Sequence, residues 1–127
     1  MPGRVVVFFP DADLTYASST SVPHDIFSLS SYQACSSLYL GTFSANSPLA
    51  SGAFIPFNES WPKMLVMTGT ADSIAESSRI VVRGIKEAGG EAELVEYVDL
   101  THGWWMFAHI FTAESEDGLK RLATFVY

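Results

Sequence analysis

The sequence predicts an α/β fold built on parallel strands, and three observations carry that prediction. Two apolar runs, Val5 to Phe9 and Met64 to Met67, have the unbroken character of strands covered on both faces. The second run is followed by a helix-period pattern and then by a third strand-like stretch, the order of a strand-helix-strand unit with a right-handed crossover. The second and third strands each give way to a short turn that carries a chemically capable side chain, Asp72 after one and His102 after the other.

Taken in order, Val5 to Phe9 is a first buried strand, and residues 11–24 are a polar connection rich in Ser and Thr. Residues 25–40 read as a helix opening at Asp25 and stopped by Gly41. Residues 41–62 form a loop rich in Ser, Pro and Gly. Lys63 to Met67 then runs into the turn Thr68-Gly69-Thr70-Ala71-Asp72. Beyond it Ile74, Val81, Ile85 and Ala88 fall on one helical stripe, with Ser78 beside them. Glu76, Arg79, Arg83, Lys86 and Glu87 hold the polar positions. Gly89-Gly90 is a helix stop. Glu93 to Val98 nearly alternates as a strand does and leads into Asp99-Leu100-Thr101-His102-Gly103. A last helix is expected over Ser115 to Tyr127, with Leu119, Leu122, Ala123 and Val126 turned inward.

Functional groups of open parallel sheets collect beyond the carboxyl ends of the strands, which is where Asp72 and His102 fall. Side chains far apart in sequence can meet there. A carboxylate that accepts a hydrogen bond from one imidazole nitrogen fixes the tautomer and leaves the other nitrogen to take a proton from a nucleophile. Each residue also has a plainer reading. Asp72 can cap the helix that starts just after it, and His102 can be a loop histidine satisfied by a backbone carbonyl. Trp104 and Trp105, with Met106 and Phe107, suit packing beneath the last helix.

The segments Gly69-Thr70-Ala71-Asp72-Ser73-Ile74-Ala75-Glu76 and His102-Gly103-Trp104 resemble the acid and histidine motifs of the α/β-hydrolase fold-3 family, the esterases and lipases related to hormone-sensitive lipase. Phe9-Pro10-Asp11-Ala12-Asp13-Leu14-Thr15 is similar to the segment after the strand that follows the family's nucleophile helix. Ser47-Pro48-Leu49-Ala50-Ser51 and Trp61-Pro62 match its Ser-Pro-leucine loop and the proline leading to the acid strand. Thr101 replaces the proline common before the family's histidine. The resemblance implies the C-terminal strand-helix-strand-helix part of an α/β-hydrolase parallel sheet with remnants of the cap region. Residues 11–60 would be the cap-proximal helix and loops, and residues 61–127 would carry the acid and histidine motifs. It further implies Asp72 and His102 as catalytic residues, Trp104 as a substrate-binding aromatic, a small-molecule ester as substrate, and no cofactor.

Neither a Gly-x-Ser-x-Gly elbow nor a His-Gly-Gly oxyanion segment occurs in residues 1–127. The expectation is therefore a C-terminal portion of a hydrolase domain that is inactive alone. Two alternatives stand beside it: a non-catalytic interaction or regulatory module derived from the same fold, and a truncated product. A first strand without its neighbour would also expose a sheet edge through which the chain could self-associate.

Composition narrows the field further. With 48% hydrophobic and 17% charged residues the chain is not of the disordered class. A net charge of −7 with seven Lys and Arg provides no basic stripe for nucleic acid or anionic lipid. There is no run of membrane-spanning length and no signal pattern, so a soluble, cytoplasmic chain is the default expectation. His24, His102 and His109 do not form a metal-ligand spacing, and no metal is expected. Cys35 is the single cysteine and reads as a buried or half-buried structural thiol within its helix.

Overall fold

A computed structural model describes residues 3–127. Three parallel strands, β1 (Arg4–Phe8), β2 (Lys63–Gly69) and β3 (Ala92–Tyr97), form a sheet in the order β1-β2-β3. The helices are α1 (Leu29–Leu40), α2 (Ala75–Glu87) and α3 (Thr112–Val126), with short 3-10 turns at Gly52–Phe54 and Trp104–Phe107. No helix among the described residues is long and apolar enough to cross a membrane.

The unbroken apolar run of β2 is explained by its central position. Successive side chains point to opposite faces, and both faces are covered. Leu65 and Met67 enter a core with Val95, Tyr97, Leu100, Trp104 and Phe125 on the α3 side. Met64 and Val66 enter a second core with Val81, Val82 and Ile85 of α2. The register sets Val66 beside Val7 on one flank and Leu94 on the other. β3 lies at the sheet's margin, so its carboxylates survive on both faces. Glu96 accepts from Arg79 of α2 at 2.6 Å, and Glu93 lies 3.6 Å from Arg121 of α3. β1 lies at the opposite margin.

α2 follows its expected stripe: Ser78, Val81 and Ile85 are buried, and Ile74 is buried just before the helix begins. α1 is shorter than the expected 25–40. Ser28 stands in extended backbone and accepts from the Ser31 amide at 3.2 Å, so the first helical residue is Leu29. Asp25 lies outside the helix because its carboxylate is engaged elsewhere. Cys35 is exposed on α1 rather than buried. The buried residue on that helix is Ser36, whose hydroxyl meets the Tyr16 phenol; the same phenol donates to Asp11 Oδ2 at 2.7 Å and lies 3.2 Å from the Tyr32 carbonyl.

The inward face of α3 also departs from expectation. Ser115, Gly118 and Phe125 are buried and Leu122 is half-buried, whereas Leu119 and Val126 are exposed. The Trp105 ring lies so close to Gly118 that a larger residue there would collide with it. That contact sets the side of the helix carrying Gly118, Leu122 and Phe125 against the sheet. The loop 41–62 is pinned by Ser51, whose buried hydroxyl donates to the Ala12 carbonyl at 2.7 Å and accepts from the Leu14 amide at 3.0 Å.

Three tyrosines give the fold an expected pH limit. Burial pushes the Tyr97 phenol up to about 12, helped by its hydrogen bond to Asp117. Burial also raises Tyr16 and Tyr32 above the ordinary phenol value. A folded pKa above the unfolded one holds the proton more tightly in the native state. The resulting stability is complete below about pH 10 and is lost as pH rises through the folded values. Thermal midpoints should fall between pH 10 and 12, and Tyr97→Phe should flatten part of that decline. A midpoint constant over this range would contradict the argument.

Candidate active site

β2 and β3 deliver two loops to the same end of the sheet, and backbone hydrogen bonds join them. Thr70 donates its amide to the Tyr97 carbonyl at 2.9 Å, and Ala71 donates to the Leu100 carbonyl at 3.0 Å. The Thr70 hydroxyl accepts from the Asp99 amide at 2.9 Å, where Asp99 takes a left-handed φ of 59°. Gly69 allows this closeness: a Cβ there would run into the Leu100 carbonyl. Gly103 has φ 64°, so the chain can turn back immediately after His102.

Within this frame the His102 Nδ1 lies 3.0 Å from Asp72 Oδ2. The Asp72 side chain is 1% exposed and that of His102 is 20% exposed. The second Asp72 oxygen, Oδ1, accepts from the Ile74 amide at 2.9 Å, so one carboxylate serves both the turn and the imidazole. The carboxylate thus holds the turn ahead of α2 and does not cap the helix itself, whose N-cap position is Ile74. An ionised carboxylate can only accept, which puts the imidazole proton on Nδ1 and leaves Nε2 as the basic nitrogen.

The imidazole is boxed by aromatic rings that the sequence did not single out for it. Tyr32 stands edge-on at 5.3 Å, Phe9 is tilted at 5.5 Å and Phe27 is edge-on at 6.1 Å. Phe27, Ser31, Tyr32 and Cys35 line an apolar cavity of about 190 Å³. A second cavity, of about 310 Å³, is lined by residues that include Asp11, Cys35 and Tyr39. Burial raises the Asp11 carboxyl above its ordinary value, against the lowering effects of the Tyr16 hydrogen bond and of His102.

Trp104 is 0% exposed and packs on Tyr97 at 4.7 Å and on Phe9 at 6.0 Å. That placement makes it a support beneath the histidine loop, one ring removed from the imidazole. Asp25 is a site residue that the sequence pattern does not mark. Its Oδ2 accepts from the Ser73 amide at 2.9 Å and its Oδ1 from the His102 amide at 3.1 Å. An acidic residue ahead of a helix reads locally as part of that helix's start, so no sequence signal marked this tertiary use. Among the described residues, no three His, Cys, Asp or Glu side chains gather to hold a metal ion.

This arrangement can fix an imidazole tautomer, shield the pair from water and move a proton through Nε2. Comparison with known proteins places it in context. The sequence matches a family described as having the alpha/beta hydrolase fold over residues 2–106. Among solved structures, the chain is similar to a hormone-sensitive lipase from a metagenome library, with 23% identity and a TM-score of 0.91, over 99% of this chain and 44% of that one. It is similar to an esterase from the bacterial hormone-sensitive lipase family, with 25% identity and a TM-score of 0.88, over 98% of this chain and 43% of that one. A third is the hormone-sensitive lipase homolog EstE7 from a metagenome library, at 23% identity and a TM-score of 0.89, over 99% and 44%. The chain thus spans less than half the length of these structures. No curated protein matches it.

Proposed function

The chain belongs to the alpha/beta hydrolase fold family, and from that premise we propose that it supplies the acid and the base of a serine carboxylic-ester hydrolase. The observation that carries the reading is the 3.0 Å contact between the His102 Nδ1 and Asp72 Oδ2 at the joined ends of β2 and β3. In the proposed reaction His102 Nε2 takes the proton of a serine hydroxyl as that oxygen attacks the ester carbonyl. The imidazolium then protonates the departing alcohol. Asp72 holds the tautomer and stabilises the imidazolium between the two transfers. His102 next removes a proton from water as the water oxygen bonds to the acyl carbon, and it returns that proton to the serine oxygen as the acyl–serine bond breaks, which releases the acid and restores the serine. No cofactor enters these steps. Protonated imidazole cannot accept the serine proton, so hydrolysis should weaken in acid.

Under this reading residues 11–60 contribute cap-proximal helix and loops, and residues 61–127 contribute the acid and histidine loops. Trp104 would act on substrate through Phe9 and the position of the histidine loop. The serine elbow and the oxyanion donors must come from sequence other than residues 1–127, where neither motif occurs.

The test has two parts. Hydrolysis of a short-chain aryl ester by the 127-residue chain should equal that of its His102→Ala and Asp72→Ala variants and of buffer. A chimera should then be made in which this chain replaces the matching portion of the bacterial hormone-sensitive lipase family esterase. That chimera should hydrolyse the ester. A chimera that folds cooperatively but remains at the buffer rate counts against the reading.

A further inference from the structure

Asp25 joins three parts of the chain that lie far apart in sequence. Its two carboxylate oxygens accept one backbone amide from each functional loop: Ser73, immediately after the acid, and His102 itself. These partners are 48 and 77 residues away. A parallel tie reinforces the first arm, since the Val22 amide donates to the Ser73 hydroxyl at 3.1 Å. The residues just beyond Asp25 complete the same assembly, with Phe27 and Tyr32 standing edge-on to the His102 ring.

We propose that Asp25 is a positioning residue that clamps the acid loop to the histidine loop and so sets the Asp72–His102 contact. The proposal rests on the reading of Asp72 and His102 given above and adds a residue that acts through them. The physical argument concerns what each loop needs. The Asp72 carboxylate is already shared between the Ile74 amide and the imidazole, so it has no further oxygen with which to hold the histidine backbone. Carboxylate-to-amide hydrogen bonds are stronger than neutral ones, and two from one rigid carboxylate fix a distance as well as an attraction. The acidic environment is also registered by Tyr32. Its hydroxyl is raised chiefly by burial and then by Asp72, Asp25 and Asp11.

The test is nitrogen-15 and proton NMR of the 127-residue chain, read at two places. In the wild type, His102 should show the Nδ1–H tautomer, and the Ser73 and His102 amides should be protected from solvent exchange. In Asp25→Ala and Asp25→Asn, the tautomer should move toward the Nε2–H form favoured by a free imidazole. The two amides should exchange at least about tenfold faster while those of Leu65 and Val66 hold their rates. If Asp25→Ala loses its folded spectrum, Asp25→Asn decides, because it retains one acceptor oxygen and turns an amide nitrogen toward a donor. An unchanged Nδ1–H tautomer in the variants overturns the proposal, even if exchange accelerates, since Asp25 would then hold the loops without setting the pair. A wild type lacking the Nδ1–H tautomer overturns both the clamp and the reading beneath it. An inactive chimera beside an Asp25-dependent tautomer would sink ester hydrolysis and leave the clamp standing.

Discussion

In the active chimera, Asp72→Asn should lower kcat by about 10⁴-fold with little change in KM. The size follows from what each oxygen of Asp72 does. An asparagine can still accept from the Ile74 amide with its carbonyl oxygen, so the turn that begins α2 survives. Its nitrogen then faces His102 Nδ1, where a donor meets a donor unless the imidazole changes tautomer. The imidazole would move its proton to Nε2, the nitrogen that must accept from serine. His102→Ala removes the base entirely and should cost as much or more, about 10⁴- to 10⁶-fold. Each tenfold is roughly 1.4 kcal/mol of transition-state stabilisation, so these losses amount to about 5 to 8 kcal/mol. Both variants should retain the far-ultraviolet circular dichroism of the parent. Activity within tenfold of the parent in Asp72→Asn would remove Asp72 from the mechanism.

The residues behind that prediction were legible because they sit at a change of period. β2 is apolar from Met64 to Met67 as a consequence of two covered faces, α2 shows a 3.6-residue stripe, and Asp72 falls between them. His102 likewise follows a strand and precedes a glycine that turns left-handed. Period says nothing, however, about which of two usable stripes a helix buries. On α3 the stripe through Leu119 and Val126 faces outward and the one through Gly118, Leu122 and Phe125 faces the sheet, where the Trp105 ring leaves room only for a residue without a side chain at Gly118. Asp25 was hidden for a related reason. Its contacts are to backbone amides 48 and 77 residues away, and backbone amides leave no mark on sequence pattern. The aromatic box around His102 comes from Phe9, Phe27 and Tyr32, three residues on two segments with no shared spacing. Local chemistry thus marked Asp72 and His102, while the groups that hold them belong to tertiary structure.

Trp104→Ala should produce the largest stability loss of any single substitution in the core, about 3–5 kcal/mol. The indole is wholly buried and touches the rings of Tyr97, Trp105 and Phe9, so its removal opens a cavity that three rigid neighbours cannot close. Small domains have only about 5–15 kcal/mol in total, and the alanine variant should melt more than about 10 °C below the parent or fail to fold. Trp104→Phe separates the packing role from a substrate role. It retains an aromatic surface against Tyr97 and Phe9, and it discards an indole Nε1 that has no hydrogen-bond partner among the described residues. Its melting point should therefore lie between those of the parent and the alanine variant. In the chimera its KM should remain within about twofold of the parent, because Trp104 is wholly buried and the ring of Phe9 packs against both it and the imidazole. A phenylalanine variant that melts like the parent but binds substrate tenfold more weakly would show instead that the indole itself meets the ester, and that this wall of the core opens when substrate enters.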